Sequence, residues 1–439
     1  MPITQALYTG VTGLSVNGDG MGVIANNLAN ANAKGFKRDR AEFEDLLSSD
    51  LATSSGGGQL GRGARLRNVR TMHTQGGLAT TDNLTDMAVQ GQGFFIISNP
   101  NTEVQESAGK FFTRVGSFVF DKDGYLADSN GGHVQGFMST KAGNLSSRIQ
   151  DIRIDTNSIA PKMTEKVVMD LNLDARVKPI AGEFDIKNPD ATSNFSTTIN
   201  IFDNLGRSHP MTVFFKRAES AEGIEWNWSS TVDSADVTDP EAGAEYKQVS
   251  AGKVKFNSAG SLLSNEVTEG LANFSGGAAA GQKIDINFGK GIADGGNGLN
   301  ASRSIAAKSN TNFHSQDGYE SGNIKSLKIE LDGSIRGLFT NGVQRLLGAV
   351  GLATFENQDG LLKAGRNSFY ATNDSGPAKM GLAQSGTRGS VYSSTLEESN
   401  VDIAGEFVNM IMTQRGFQAN SRSITTTDTM IEEVINLKR

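Results

Sequence analysis

The sequence predicts a mixed α and β, multi-domain fold: long N- and C-terminal helices forming a coiled-coil inner domain, with nested β-rich outer domains. Three observations carry that expectation. Apolar residues recur every seven positions at both ends of the chain. Between the ends the period falls to two, punctuated by Gly- and Asp-rich turns. At 439 residues the chain has room for several domains of ordinary size.

The first 33 residues contain neither Lys nor Arg. Within them Leu7, Leu14, Met21 and Leu28 form one narrow helical stripe, with Val11, Ile24 and Ala25 beside it. Gly10, Gly13, Gly18, Gly20 and Gly22 interrupt the stripe, each costing up to ~1 kcal/mol relative to Ala. Such a helix needs packing partners to be ordered, and its glycines allow close approach.

The C-terminal pattern is stronger. Ile403, Met410, Phe417, Ile424 and Ile431 repeat at seven, and Phe407 and Ile435 occupy the companion row. Gln414, Ser421 and Asp428 make the middle of that row polar, a register-setting device. Asn400 is the expected N-cap, Ser399 and Asp402 have capping-box spacing, and Glu397 and Glu398 suit the positive helix end. A helix over 401–437 would be about 55 Å long. Stripes this narrow on helices this long suit an assembly element shared among copies; an intramolecular hairpin that merely closes the domain is the simpler reading.

Residues 54–63 (SSGGGQLGRG) read as a flexible loop, without the Gly-Lys-Ser/Thr that a phosphate cradle needs. Further on, Phe118–Phe120 leads through Asp121-Lys122-Asp123-Gly124 into Tyr125 and Leu126, a hairpin rather than a calcium loop. Thr197 to Phe202, Asp203-Asn204-Leu205-Gly206 and Met211 to Phe215 make a second hairpin. Trp226 and Trp228 alternate on one strand face, as core residues do. Leu327, Ile329 and Leu331 alternate before a turn at Asp332-Gly333. The expected division is 1–33 with 397–439 as a terminal helical domain, and 34–70 with 393–396 as a connecting segment. A β-rich middle domain takes 71–145 with 318–392, and 146–317 is an inserted β-rich outer domain, open to subdivision.

Composition narrows the function. A net charge of −7 argues against nucleic acid, which needs a basic face. With no Cys, thiolate catalysis, disulfides and Cys-based zinc sites are excluded. His73, His133, His209 and His314 match no metal-ligand spacing, and no catalytic motif appears. The expectation is no enzyme, no metal and no cofactor. No run approaches the ~18 apolar residues of a membrane span. The first cation is Lys34, so a cationic signal-peptide region is missing; a cytoplasmic protein, or one exported without cleavage, fits.

Ala25-Asn26-Asn27-Leu28-Ala29-Asn30 followed by Gly35-Phe36-Lys37 resembles the N-terminal signature of the bacterial flagellar rod and hook protein family. Gly91-Gln92-Gly93-Phe94-Phe95 resembles its second motif. Leu396-Glu397-Glu398-Ser399-Asn400-Val401-Asp402 and Val408-Asn409-Met410-Ile411 with Gln414-Arg415 resemble the C-terminal one. The segment from Asp203 to Phe215 and the total length favour the hook branch of that family.

That resemblance implies a structural subunit that polymerises into a curved hollow tube, a universal joint carrying torque from rod and motor to filament. The stripe residues named above would then line the inner tube and contact neighbouring copies. Implied partners are the chain itself, the distal rod protein, the hook cap protein, the hook–filament junction protein and the flagellar type III export apparatus. The implied location is the extracellular hook, reached without signal cleavage. Phe43 and Leu47 have the spacing of the family's export-gate element. Some family members cross-link covalently through a Cys and a Lys, which a chain without Cys cannot do. The alternatives are a distal rod axial protein or, in a different class, a secreted β-rich glycan-binding protein using Trp226 and Trp228.

Overall fold

The computed structural model describes residues 2–51, 58–99, 109–140, 143–154, 158–219, 223–240, 243–268, 270–293, 295–296, 298 and 301–436. Residues 54–57 of the expected glycine-rich loop lie outside the described residues. The strands beside them, Ser49–Leu51 and Gly58–Leu60, pair antiparallel, so the loop is shorter than the composition implied.

The chain divides into two compact units. The first comprises Met1–Thr156, Ser326–Leu338 and Gln344–Arg439. It holds both terminal helices, α1 (Pro2–Ala29) and α2 (Ile403–Asn436), of 28 and 34 residues. α2 starts later than expected because its N-cap is Asp402, not Asn400: Asp402 Oδ1 accepts from Ala404 N at 3.1 Å. A two-stranded antiparallel ribbon, β1 (Asp39–Asp45) with β2 (Ala64–Thr71), occupies the segment between α1 and the β body. Its pairs alternate by face. Ala41 opposes Val69 and Phe43 opposes Leu66, while Arg40 opposes Arg70 and Glu44 opposes Arg65.

The β body of this unit interleaves two distant stretches of chain. One sheet runs Gln344–Thr354, His133–Ser139, Phe94–Ser98, Lys110–Thr113, Ser368–Tyr370, Leu362–Gly365. Neither stretch could bury its apolar run alone. Phe94, Ile96 and Phe112 need Ala353, Phe355 and Phe369 from the far side of the sequence to complete one core. The hairpin expected around Asp121–Gly124 is present, with Phe118–Phe120 against Leu126–Asp128. Leu331, however, is 48% exposed and falls outside the strand Ile324–Ile329.

The second unit comprises Asn157–Lys325 and Phe339–Val343. Its main sheet is an antiparallel meander of five strands, Phe195–Phe202, Ser208–Arg217, Ile224–Asp233, Tyr246–Phe256 and Leu262–Thr268. The hairpin with its turn at Asp203–Gly206 is the first of these connections. One core fills the unit, and Trp226 and Trp228 lie within it at 0% and 1% exposure.

Candidate functional site: the terminal helix pair and its junction

Of the two helices, α1 is the weaker former, so its order depends on what it touches. It pairs antiparallel with α2 along a seam where small and polar residues are mixed with part of the apolar stripes. A methyl group added to Gly10 would meet Ile424 Cγ1 at 2.8 Å, and one added to Gly13 would meet Asn420 Nδ2 at 2.5 Å. One added to Gly416 would meet Asn17 Oδ1 at 2.8 Å, and Gly20 lies against Phe43 and Thr413. Gly10 and Gly20 are buried, as are Asn27, Glu406 and Thr427. The glycines therefore permit the helix axes to approach, and the polar side chains set their register.

That seam leaves much of the expected apolar interface outside it. Leu7, Leu14, Met21 and Leu28 are half-buried, as are Met410, Ile424 and Ile431. Ile403, Phe407, Phe417 and Ile435 are 45%, 48%, 45% and 62% exposed, and Val408, Ile411 and Met412 are exposed with them. A helix that shows this much apolar surface is an interaction surface by ordinary solubility arguments.

At the inner end of the pair, motif residues from three parts of the sequence meet. Glu397 is buried in the short strand Thr395–Glu397 and acts as the hub. Its Oε1 accepts from Lys37 Nζ at 2.5 Å and from Gly76 N at 2.9 Å. Its Oε2 accepts from Arg114 Nη1 at 3.3 Å. Arg114 also donates to the carbonyls of Val89 and Gly91, and Lys37 to that of Thr74. The expectation that Glu397 serves the helix dipole is thus corrected: its carboxylate is committed to two buried cations. Sequence reasoning missed this site, because the partners lie 360 and 283 positions away. Its one available signal was that Lys37 and Glu397 both fall inside family-like motifs.

Two asparagines of those motifs clamp the chain as it leaves α1. Asn27 donates to Asp39 O and accepts from Asp39 N, both at 2.8 Å. Asn400 accepts from Arg38 N at 2.7 Å and donates to Met72 O at 2.8 Å. Gly35 sits at φ +67, where a Cβ would stand 2.8 Å from Val115 N, so a side chain there would be both strained and obstructed. Gly35 N donates to Glu397 O at 2.8 Å. Phe36 is buried, while Ala25, Asn26 and Ala29 are exposed. Asn30 donates to Asn26 O at 2.9 Å, and the Ser399 hydroxyl accepts from Val401 N.

Electrostatically the junction holds two cations against one carboxylate. Burial lowers the pKa of Lys37 and of Arg114, and Glu397 opposes the shift in both. His73, packed edge-on against Phe94 and Phe369, is lowered to about 4, first by burial and then by the charges of Lys37 and Arg114. It is neutral at pH 7. Among the described residues no cluster of His, Asp and Glu could hold a metal ion. Phe43 lies on β1 at 44% exposure and Leu47 beyond it at 89%.

Known families match along most of the chain. Residues 7–37 match the flagella basal body rod protein family, and 88–167 match the flagellar hook protein FlgE/F/G D1 domain. Residues 172–319 match the flagellar basal body protein FlaE D2 domain, and 392–437 the C-terminal region of the flagellar basal body rod FlgEFG proteins. The flagellar hook protein FlgE of Treponema pallidum is 33% identical, with 99% of this chain and 100% of that protein covered. The Borreliella burgdorferi hook protein is 31% identical, with 99% of each covered, and the Escherichia coli one 29%, with 99% and 100% covered. The crystal structure of Helicobacter pylori hook protein FlgE2 shares the fold, at TM-score 0.54 and 16% identity, over 73% of this chain and all of that one. These relatives are structural proteins, not enzymes, and they do not favour the distal rod. The glycan-binding alternative fails on its own residues, since both tryptophans are buried. With full-length relatives above 30% identity and matching domains at both ends, the chain belongs to the flagellar hook protein family and is a structural subunit of the hook.

Proposed function

We propose that many copies of this chain polymerise through their terminal helices into a curved hollow tube that transmits torque while bending. The observation that carries this reading is the division of labour on the helix pair. A seam of small, polar and half-buried apolar residues joins α1 to α2 within one chain, and Ile403, Phe407, Phe417 and Ile435 are left bare. Neighbouring copies would cover them, completing a coiled-coil inner domain from 1–33 with 397–439. The segment 34–70 with 393–396 would then connect this tube to a middle shell (71–145 with 318–392) and an outer insert (146–317).

Contacts between unlike surfaces that do not close into a ring propagate as a filament. Lengthwise helix packing gives axial continuity, and polar contacts between outer domains can slide at little cost. By family membership the tube would join the distal rod protein at one end and the hook–filament junction protein at the other, growing beneath the hook cap protein. The chain would leave the cell unfolded through the flagellar type III apparatus, uncleaved, with Phe43 and Leu47 as its export-gate element.

Electron microscopy of the purified protein and of sheared cells tests the reading. Short curved tubes containing this chain are the expected result. Straight tubes would return the distal rod alternative, and a persistent monomer would defeat both.

A further inference from the structure

One end of the helix pair holds both halves of an ion pair and leaves both unused. There the tip of the β1–β2 ribbon rests on the first turns of α1, with Gln5 Nε2 donating to Gly61 O at 3.3 Å. A cavity of about 770 Å³ opens beside it, lined by Tyr8, Leu46, Leu47 and Arg62 among others. Leu47 is 89% exposed and Tyr8 69%, and the two line the same cavity, so together they form an exposed apolar patch. Arg62 is the single charged residue in the lining, is exposed, and forms no ion pair among the described residues.

The last turns of α2 have the opposite character. Asp428, Glu432 and Glu433 are exposed and form no ion pair among the described residues. Beside them Met430, Val434 and Ile435 are 55%, 53% and 62% exposed. Because the helices run antiparallel, with Gly10 at Ile424 and Gly20 at Thr413, these turns lie toward the same end as the cavity. Among the described residues no ion pair joins Arg62 to Asp428, Glu432 or Glu433 within one chain. One is apolar with a cation, the other apolar with three carboxylates.

We propose that the ribbon-tip cavity receives the acidic last turns of α2 from a second copy of this chain. Leu47 and Tyr8 cover the apolar residues at 430–435, and Arg62 meets the carboxylates at 428–433. The surfaces differ, so the contact is heterologous and can repeat from copy to copy. It rests on the hook-subunit reading and names one contact that such a tube uses. It also gives Leu47 a role in the folded state, separate from any in export.

The native chain has no Cys, so engineered ones report without background. Leu47→Cys and Ile435→Cys chains, mixed, assembled and treated with an oxidant, should form mixed disulfide dimers in tubes and none in unassembled protein. Leu47→Cys with Leu205→Cys should form none in either state. Independently, Arg62→Glu should raise the concentration needed for assembly about tenfold or more. A chain carrying Arg62→Glu with Glu432→Arg and Glu433→Arg should recover it. Tubes of the mixed Leu47→Cys and Ile435→Cys chains that form no mixed disulfide would overturn the contact, as would Arg62→Glu assembling normally or the charge swap giving no rescue. Absence of tubes from the wild-type chain would instead strike the hook-subunit reading, and the contact with it.

Discussion

Glu397 shows how much a single buried carboxylate can organise. It neutralises Lys37 and Arg114, which approach it from segments that share no local sequence relationship. Removing it leaves two cations in a site closed to water, while removing Lys37 leaves a balanced Glu397–Arg114 pair. Glu397→Gln should therefore cost ~3–5 kcal/mol of stability and Lys37→Met markedly less. Thermal unfolding of the two purified variants measures that order, and an equal or reversed cost would show that the hub does not work by charge balance.

His73 adds a pH dependence of known sign. Its pKa falls from the usual 6.5 to about 4 in the folded chain. Between those values the unfolded chain binds more protons than the folded one, so stability rises with pH across the window. The contribution is complete above pH 6.5 and is lost as pH falls toward 4, up to ~3 kcal/mol in all. His73→Phe keeps the ring between Phe94 and Phe369 and should flatten the melting-temperature difference between pH 7 and pH 4.5. An unchanged difference would place the pH sensitivity elsewhere.

At the level of elements, what the sequence revealed depended on whether the partner was near. Hairpins at Asp121–Gly124 and Asp203–Gly206 were legible because both strands and the turn sit within about 20 residues, with turn chemistry between them. The long helices were legible from their heptads. The seam between them was not, because Gly, Asn and Thr carry no hydropathy signal, and the apolar rows that do carry one are only partly covered by it. Glu397 and Asn400 were misread for a related reason: a residue just before a helix is assigned locally to a cap, yet both are bound to segments hundreds of positions away. The α1 glycines separate the two kinds of position experimentally. Nothing lies within 4 Å of a Cβ at Gly22, whereas Gly10 abuts Ile424. Gly22→Ala should stabilise α1 by about 1 kcal/mol, raising helicity by circular dichroism. Gly10→Val should lower helicity by parting α1 from α2. Equal effects would mean that the seam does not hold the helices.

For the whole molecule, the second unit can be separated from the machinery of assembly without cutting into it. Chain enters and leaves it on adjacent antiparallel segments, where Ile159 N donates to Gly322 O at 2.8 Å and Lys162 N to Tyr319 O at 2.9 Å. Lys162 and Asp317 add an ion pair at 2.6 Å on the same neck. Its core, centred on Trp226 and Trp228, draws on residues 167–301 alone. Both helices, the ribbon and the Glu397 hub belong to the first unit. Replacing residues 158–324 with a short Gly-Ser linker should therefore leave a chain that still assembles into tubes, since every helix contact survives. On the proposed reading, what should disappear is an outer layer whose sliding contacts would permit bending without loss of axial continuity. Electron microscopy of such tubes is expected to show altered curvature, and cells carrying them should swim poorly at normal motor torque. Tubes of unchanged curvature and flexibility, with normal swimming, would mean that bending resides in the helices and their ribbon, and the joint would then have to be sought in the helix contacts themselves.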